Sequence, residues 1–293
     1  MELRVLRYFL EVAYQHNITK AAEQLLVSQP ALSRQLRDLE NELGVKLFIR
    51  GNRQIVLTDE GKYLREKAQE MVDLANNTAK NIQSHDITAG TLSIGAGESI
   101  GMQRILDVVG DIIKDYPKVD IKLVSGDAFD IEKKLEKGVL DFAIFMGKYP
   151  SNNYDYLKLP ESDEWGLVMR EDDKLAKKSS INPEELINLP IILSEQSLKE
   201  NRFQNWLGNL EPKLNVIGTT NLIFNASLLV LNKSAYLMSF KGLVDSRQNN
   251  LIFKPLKPKL FDPIIIAWKK NTVQSKVAKL FINRMNANLE NDK

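Results

Sequence analysis

The stretch VSQPALSRQL, residues 27–36, predicts a helix with two different faces. Ser28 can cap its start, and Pro30 falls in the first turn, where a missing N–H costs nothing because that group has no intrahelical partner. Gly44 is a natural stop. Leucines at spacings of four, three and four predict a buried row, namely Leu32, Leu36, Leu39 and Leu43. The opposite, exposed face carries Gln29 at the tip, then Pro30, Ser33, Arg34 and Arg37.

Two shorter helical patterns precede this helix. The first has an apolar stripe of Leu6, Phe9, Leu10 and Ala13, and the second, which Thr19 can cap, carries Ala21, Ala22, Leu25 and Leu26. Only the short break LVS separates the second helix from the third, which predicts a helix-turn-helix. In such motifs the second helix reads the major groove, with arginine bonding guanine and glutamine bonding adenine. Double-stranded DNA is therefore a predicted partner.

The segment LFIRGNRQIVLT, residues 47–58, predicts a β-hairpin beside these helices. The pair GN supplies a tight turn, and Ile55 and Leu57 alternate along the second strand. Arg50 and Arg53 flank the tip, where phosphates of an adjacent groove would lie, so the hairpin is the expected wing. The net charge of +2 lies entirely within residues 1–58, which favours a nucleic-acid partner at this end.

A long helix is predicted next. Thr58 can cap it, and Asp59 and Glu60 complement its dipole. A heptad seam follows at alternating spacings of four and three, made of Leu64, Ala68, Met71, Ala75, Thr78 and Ile82. The seam predicts either a dimer helix, which suits a reader of paired DNA half-sites, or a helix that packs on its own domain. The stretch SHDITAG, residues 84–90, breaks the pattern and predicts a domain boundary.

From Thr91 onward, short strands alternate with helices, which predicts an α/β fold with a mainly parallel sheet. Ligands bind such sheets at the carboxyl ends of strands, which directs attention to GAGESIG, residues 95–101. This stretch contains G-x-S-x-G, the nucleophile elbow of hydrolases. The only histidines, His16 and His85, precede Ser99, so a hydrolase is disfavoured for want of a base. The Ser99 hydroxyl and the N–H groups of the next helix are instead expected to hold a ligand's oxygen atoms.

Composition excludes several other classes of protein. A chain of 293 residues predicts two or three domains, and the absence of cysteine excludes disulfides and cysteine-ligated zinc. It is also compatible with a reducing cytoplasm, the expected localisation. Neither metal-ligand spacing nor a phosphate-cradling or dinucleotide motif occurs, so no cofactor and no metal are expected. Charges interrupt every apolar run near the N-terminus, so neither a signal peptide nor a membrane partner is expected.

The run AAEQL…VSQPALSRQLRDLE..LG..LF.R, followed by LT..G, resembles the N-terminal domain of LysR-type transcriptional regulators. The resemblance places the helix-turn-helix at residues 18–37. It implies that Gln29, Pro30, Ser33 and Arg34 read the groove and that Ser28, Arg37, Arg50 and Arg53 lie nearer phosphate. It also implies that the long helix dimerises through Leu64, Ala68, Met71, Ala75 and Ile82.

A thinner resemblance, on GTLSIGAGES, KLEKGVLDFAI and TTNLIFNASLLVLNKSAYLMSF, covers the rest of the chain. Together with the N-terminal match, it implies three parts: a winged helix-turn-helix domain at 1–58, a linker helix at 59–89 and an effector domain at 90–293. The effector domain would have a periplasmic-binding-protein-like fold of two Rossmann-like subdomains, about 90–161 with 268–293, and about 162–267. Strands crossing between them would lie near Leu159–Glu164 and Pro263–Trp268.

The resemblance places an effector cleft between these subdomains. Its expected residues are Glu98, Ser99, Ile100, Gly101, Ser125, Asp127, Gly147, Ser194, Asn221, Phe224, Asn225 and Phe240. The carboxylate of Glu98 disfavours a strongly anionic effector, so a neutral, zwitterionic or cationic one is expected.

Three hypotheses remain on the sequence. The first is a cytoplasmic, sequence-specific regulator that works as a homodimer or homotetramer and is controlled by a small-molecule effector. The second is a small-molecule binding protein whose N-terminal module contacts another protein. The third, a hydrolase using Ser99, is weakened by the missing histidine. The first predicts a DNA-binding protein that is not an enzyme.

Overall fold

The computed structural model describes residues 1–50, 55–83, 89–147, 149–244 and 250–290. The chain divides into two compact units, Met1–Gln83 and Ser84–Lys293. Within the described residues, none of the helices has the length and apolar character that a membrane span requires.

The first unit is mainly helical. Its elements in chain order are α1 (Leu3–Gln15), α2 (Ile18–Gln24), α3 (Gln29–Leu43), β1 (Phe48–Arg50), β2 (Ile55–Leu57) and α4 (Asp59–Gln83). Its core gathers the apolar faces of all four helices around the fully buried Phe9, whose ring lies 5.2 Å from that of Phe48 on β1. The two strands pair antiparallel, with Phe48 opposite Leu57, and form the predicted wing. The turn with Arg53 and the side chain of Arg50 lie outside the described residues.

Helix ends in this unit follow the predicted signals with one exception. Ser28 Oγ accepts the Ala31 N–H at 3.4 Å, Pro30 lies in the first turn of α3, and Gly44 ends the helix with a left-handed φ of 70°. The predicted cap of α2 at Thr19 is wrong. Asn17 is the cap, because its side-chain oxygen accepts the N–H groups of Thr19 at 2.9 Å and Lys20 at 3.1 Å.

The predicted leucine row is shorter than its spacing suggests. Leu32, Leu36 and Leu39 are buried, whereas Leu43 is the last residue of α3 and is exposed. Leu26, expected on the apolar face of α2, is 93% exposed and has a φ of 55°. It lies in the turn after α2 has ended, where it can no longer follow the helical stripe.

The second unit is α/β. Its elements are β3 (Ala89–Ala96), α5 (Met102–Asp115), β4 (Lys118–Ser125), α6 (Ala128–Glu136), β5 (Phe142–Met146), β6 (Tyr154–Arg170), β7 (Ile191–Ser194), α7 (Glu195–Lys199), α8 (Gln204–Leu207), β8 (Val216–Thr220), α9 (Ile223–Leu231), β9 (Tyr236–Phe240), β10 (Leu251–Pro255), β11 (Phe261–Lys269) and α10 (Lys276–Glu290).

The strands form two sheet regions that meet along β6 and β11. In the first half, β3 lies between β4 and β5, parallel to both, and β11 pairs antiparallel with β5. In the second half, β7 lies parallel between β8 and β9, while β9 and β10 pair antiparallel with β6. Helices α5 and α10 cover the core of the first half. Parallel strands followed by helices give each half the predicted Rossmann-like form.

The crossing between halves depends on two antiparallel segments. Ser162–Glu164 on β6 pair with Phe261–Pro263 on β11, and β6 then continues into the second half from Trp165. The second crossing lies earlier than the expected Pro263–Trp268, because Ile264–Ala267 pair with β5 inside the first half.

Some helical segments of the second half are short. The stretch NRFQNWLGNL forms only the four-residue α8, followed by a 3-10 turn at Gly208–Lys213 that contains Pro212. Proline lacks an N–H and glycine weakens a helix, so neither residue supports an extended α-helix. The segment NPEELIN forms a 3-10 turn at Pro183–Leu186, and the short α7 was not predicted.

Candidate functional site

The exposed face of α3 has a defined set of polar side chains. Gln29, Pro30, Arg34 and Arg37 are exposed, as predicted from the leucine row on the other side. Ser33 differs. It is only 9% exposed, and its hydroxyl accepts a hydrogen bond from Gln29 Nε2 at 2.9 Å. The expected outward position of Ser33 is therefore corrected, because its shorter side chain lies between the exposed face and the core.

The two arginines of this face differ in how they are held. Arg37 Nε donates to the carbonyl oxygen of Ser33 at 3.3 Å, which keeps that side chain along its own helix. In the described part of the chain, no residue forms a hydrogen bond or ion pair with the Arg34 guanidinium. Ser28 uses its hydroxyl to cap the helix, so that oxygen is engaged before any partner binds. The face therefore offers the guanidinium of Arg34 most directly, whereas the amide Nε2 of Gln29 already donates to the Ser33 hydroxyl.

Helix α4 divides into a buried and an exposed part. Leu64 and Ala68 are buried in the core of their own unit, against α1, with Met71 partly covered there. These two positions are corrections to the expected dimer seam, because they are already covered within one chain. Further along, Ala75 is half-buried and Ile82 is 71% exposed, with Leu74 beside them also exposed. The exposed aliphatic side chains of α4 thus lie in its second half.

A cleft opens between the two halves of the second unit. Five of the expected effector residues line it, namely Glu98, Asp127, Ser194, Asn221 and Phe240. Its wall also includes residues that no sequence motif indicated, among them Met146, Trp165, Gln196, Glu200, Arg202, Met238 and Asp262. Trp165 and Asp262 come from the crossing strands β6 and β11, and Arg202 precedes α8. A signal for Asp262 was present in the sequence, since it is an acidic residue next to the apolar run PIIIAW.

The remaining seven expected residues do not line this cleft. They are Ser99, Ile100, Gly101, Ser125, Gly147, Phe224 and Asn225. Gly147 lies against Asp262, since a Cβ at this position would be 2.5 Å from Asp262 Oδ2. Ile100 and Phe224 are exposed outside the cavity.

Ser99 is satisfied within the protein. Its hydroxyl donates to Asp163 Oδ1 at 2.9 Å and accepts the Gly101 N–H at 2.9 Å. The turn predicted to hold ligand oxygens is therefore filled by the chain's own serine. Asp163 is almost completely buried on β6, and this burial raises its pKa to about 6, while the hydrogen bond from Ser99 opposes the rise.

Two hydrogen bonds cross the cleft between its halves. Glu98 Oε2, which follows β3, accepts the Ile223 N–H at the start of α9 at 2.5 Å. From the other side, Gln196 Oε1 on α7 accepts the Ala128 N–H at the start of α6 at 3.3 Å. Each half thus places a side-chain oxygen on the N-terminus of a helix of the other half. Helix N-termini carry free N–H groups and partial positive charge, which explains both contacts.

The described residues contain no group of three or more metal-ligating side chains placed to hold an ion. What the chain presents is a groove-sized helix face with a wing in one unit and a ligand-sized cleft in the other. That combination defines a class, the ligand-controlled, DNA-binding transcriptional regulators. The chain belongs to the LysR family of this class. Residues 3–62 match the bacterial regulatory helix-turn-helix protein, lysR family, and residues 85–290 match the LysR substrate binding domain.

Curated relatives are similar in sequence over nearly the whole chain. It is 30% identical over 288 residues to the uncharacterized HTH-type transcriptional regulator YybE of Bacillus subtilis (strain 168), covering 96% of this chain and 97% of that protein. It is 28% identical over 283 residues to the Hca operon transcriptional activator HcaR of Escherichia coli (strain K12), covering 94% of each. These relatives are transcriptional regulators, and the predicted family is confirmed.

Solved structures share the fold. Full-length CbnR in complex with its target DNA matches with a TM-score of 0.75 at 18% identity, covering 98% of this chain and 99% of that one. A point mutant of full-length BenM matches with a TM-score of 0.56 at 22% identity, covering 100% of this chain and 97% of that one. Both agree with a winged helix-turn-helix domain joined to a two-part α/β effector domain.

Proposed function

We propose that this regulator binds a specific duplex site through the exposed face of α3. Gln29 and Arg34 read base edges at the start of the helix, and Pro30 sets the approach of its first turn. Ser33 supports this face by holding Gln29, and Arg37 contributes charge toward phosphate. Ser28, which caps the start of α3, is proposed to lie beside the DNA phosphates. Arg50 and Arg53 are proposed as wing contacts on sequence grounds alone.

We further propose that the chain assembles as a homodimer or homotetramer through the exposed second half of α4. Leu74, Ala75 and Ile82 supply an apolar strip of the kind that a second helix covers. Pairing two copies would place two α3 helices on two half-sites, which lengthens the DNA sequence that the protein reads. Such a regulator acts in the cytoplasm, where it meets its DNA and its effector.

A small-molecule effector in the cleft would control this assembly. Because β6 and β11 connect the halves, a ligand that binds one angle between them more tightly than another shifts the population of that form. The single observation that carries the control is the pair of cross-cleft bonds, Glu98 to Ile223 and Gln196 to Ala128. A ligand in the cleft must keep, break or replace them. Its lining favours a neutral, zwitterionic or cationic effector over a strongly anionic one.

The test of DNA recognition is a binding titration with fluorescent duplex from the region upstream of the protein's own gene. We expect tight binding that weakens with salt by about 0.9 log unit per log unit for each phosphate neutralised. A shuffled duplex of equal length is the control and should bind far more weakly. Equal binding to both duplexes, or a flat salt response, would contradict sequence-specific recognition and favour an N-terminal module that contacts protein.

A further inference from the structure

We propose that the effector is a small zwitterion of the α-amino-acid type. Its carboxylate would accept hydrogen bonds from Trp165 Nε1 and Arg202 Nε, and its ammonium group would be held by the acidic lining of the cleft. The inference rests on the proposed function, since it concerns the same cleft, and it adds the chemical class of ligand.

Two buried donors in the cleft wall lack acceptors. Trp165 is 4% exposed, and its indole Nε1 has no hydrogen-bond partner among the described residues. Arg202 Nε is likewise buried without a partner in that part of the chain, although the guanidinium forms an ion pair with Asp262. A buried donor without an acceptor costs free energy. Unpaired donors in the wall of a cavity therefore indicate a ligand that brings an acceptor atom into the cavity. A ligand carboxylate or carbonyl oxygen supplies that acceptor.

The strand geometry places these groups together. Asp163 and Trp165 are two residues apart on β6 and therefore point to the same face of the sheet. Asp262 lies directly opposite Asp163 on β11 and shares that face. Arg202 pairs with Asp262, and its neighbour Phe203 packs on Trp165 with ring centroids 4.9 Å apart. The two donors thus belong to one cluster at the crossing between the halves.

A purely anionic ligand does not suit the rest of the cleft. The described lining has carboxylates at Glu98, Asp127, Glu195, Glu200 and Asp262 against the single cation Arg202. The Glu98 carboxylate also occupies the Ile223 N–H, the place at the start of α9 where a ligand anion would otherwise bind. A positive group on the ligand offsets this excess. The aromatic rings of Trp165 and Phe240, with centroids 4.2 Å apart, add faces that attract an ammonium group.

The size and remaining wall of the cleft limit the side chain. Its volume is about 80 Å³, and a single water needs about 10–15 Å³ by the same measure. Met146, Ile223, Met238 and Leu243 complete the wall with apolar surface. A small or medium apolar side chain fits this description better than a long charged one.

The first experiment is a calorimetric and thermal-shift screen of the full-length protein with the twenty L-amino acids. Each binder is then compared with the acid that lacks its amino group and the amine that lacks its carboxylate. For L-valine these probes are 3-methylbutanoate and 2-methylpropan-1-amine. We expect at least one amino acid to bind, and both analogues to bind at least tenfold more weakly. Binding by no amino acid overturns the inference, as does an analogue that binds as tightly as its parent.

A second experiment tests the donor. Trp165→Phe keeps an aromatic ring but removes the N–H, so affinity for the amino acid should fall about tenfold, while affinity for the amine analogue, which has no carboxylate, should fall much less. Trp206→Phe is the matched control, because Trp206 Nε1 already donates to the Pro258 carbonyl at 2.7 Å outside the cleft. Equal losses in the two variants, or no loss in Trp165→Phe, overturn the assigned contact.

The salt-dependent DNA titration described above separates the two proposals. Specific DNA binding by a protein that ignores every amino acid overturns the ligand class and leaves the regulator function intact. Amino-acid binding by a protein without specific DNA binding overturns the regulator function and leaves the ligand class intact.

Discussion

Asp163 and Asp262 lie directly opposite each other on the two strands that join the halves of the effector domain, yet their carboxylates have different partners. Asp163 accepts a hydrogen bond from Ser99 in the first half, whereas Asp262 pairs with Arg202 in the second. Each half is therefore linked to the crossing strands by one of the two buried carboxylates. The link on the Asp163 side depends on pH, because burial raises the pKa of that carboxyl to about 6.

Replacing Asp163 with asparagine should stabilise the effector domain above pH 6. The folded pKa of about 6 exceeds the ordinary value of 3.8, so between these pH values the folded state holds the proton more tightly than the unfolded state. Stability is then lost as pH rises through this window. The difference between the two pKa values corresponds to at most about 3 kcal/mol of folding free energy. We expect the Asp163→Asn gain to approach that value at pH 8 and to vanish near pH 3, below the ordinary pKa of the carboxyl.

Tryptophan fluorescence provides the measurement, since Trp165, Trp206 and Trp268 all lie in the second unit. Urea unfolding at several pH values gives the difference in the free energy of unfolding between Asp163→Asn and the wild type. Asp155→Asn, on the same strand but 46% exposed, is the control and should show little gain at any pH. A pH-independent difference between Asp163→Asn and the wild type would contradict the assigned cause.

Arg34→Ala should relax the base preference at one position of the DNA site. A bidentate arginine contact to guanine contributes about 1–3 kcal/mol of discrimination, and the Arg34 side chain is exposed for such a contact. The measurement is binding to a set of duplexes that vary one base pair at a time. Arg65→Ala removes an exposed charge of the same type from α4 and should leave the preference unchanged. Identical specificity profiles for the two variants would count against α3 as the reading helix.

Ile82→Lys should lower the mass of the assembly in sedimentation. A charged group at this 71% exposed apolar position cannot be covered by a second helix without a large desolvation cost. Gln69→Lys is the control, because it lies thirteen residues earlier and about 140° around the helix. Assembly that survives Ile82→Lys would exclude the second half of α4 as the contact.

Leu64→Ala should act differently, since Leu64 is buried within its own unit. We expect a loss of about 2–4 kcal/mol in the stability of the helical unit, followed by far-ultraviolet circular dichroism, with the assembly mass unchanged while the protein is folded. If the folded Leu64→Ala protein dissociates, Leu64 contributes to the contact between copies after all.

Two glycines on helices should respond oppositely to alanine. At Gly61 an added Cβ would lie 2.1 Å from the Leu47 carbonyl oxygen, so Gly61→Ala should destabilise the first unit by about 1–3 kcal/mol. At Gly110 on α5 nothing lies within 4 Å, so Gly110→Ala should stabilise the second unit by about 0.5–1 kcal/mol. Circular dichroism measures the stability of the first unit in Gly61→Ala, and tryptophan fluorescence measures the stability of the second unit in Gly110→Ala. Changes of the same sign would contradict the packing at one of the two sites.

The local parts of this structure follow from the sequence because their causes are local. Ser28 caps α3, Gly44 ends it, and the leucine spacing selects its buried face. The fine position of Ser33 does not follow, because helical periodicity does not fix how far a short side chain on the edge of a face is covered. The cap at Asn17 was missed for a related reason, since Asn17 and Thr19 are both capable residues and only the backbone decides between them.

The cleft was harder to predict because its walls come from distant segments. Glu98 and Asp127 follow strands of the first half, and the rule for parallel sheets locates them. Trp165 and Asp262 come from the crossing strands and Arg202 from the turn before α8, so their convergence depends on the register of β6 with β11. Ser99 lies in the G-x-S-x-G motif, yet its hydroxyl donates a hydrogen bond to Asp163, which is 64 residues away in the sequence.

Strand β6 has a practical consequence for exchanging ligand preference between regulators. Its seventeen residues run without interruption through both sheet regions, so each half borrows part of its sheet from the same piece of chain. A chimera made by grafting one half alone would have to join foreign side chains to this shared backbone. Transplanting the whole segment from β3 to α10 avoids that junction and leaves the donor's recognition chemistry intact.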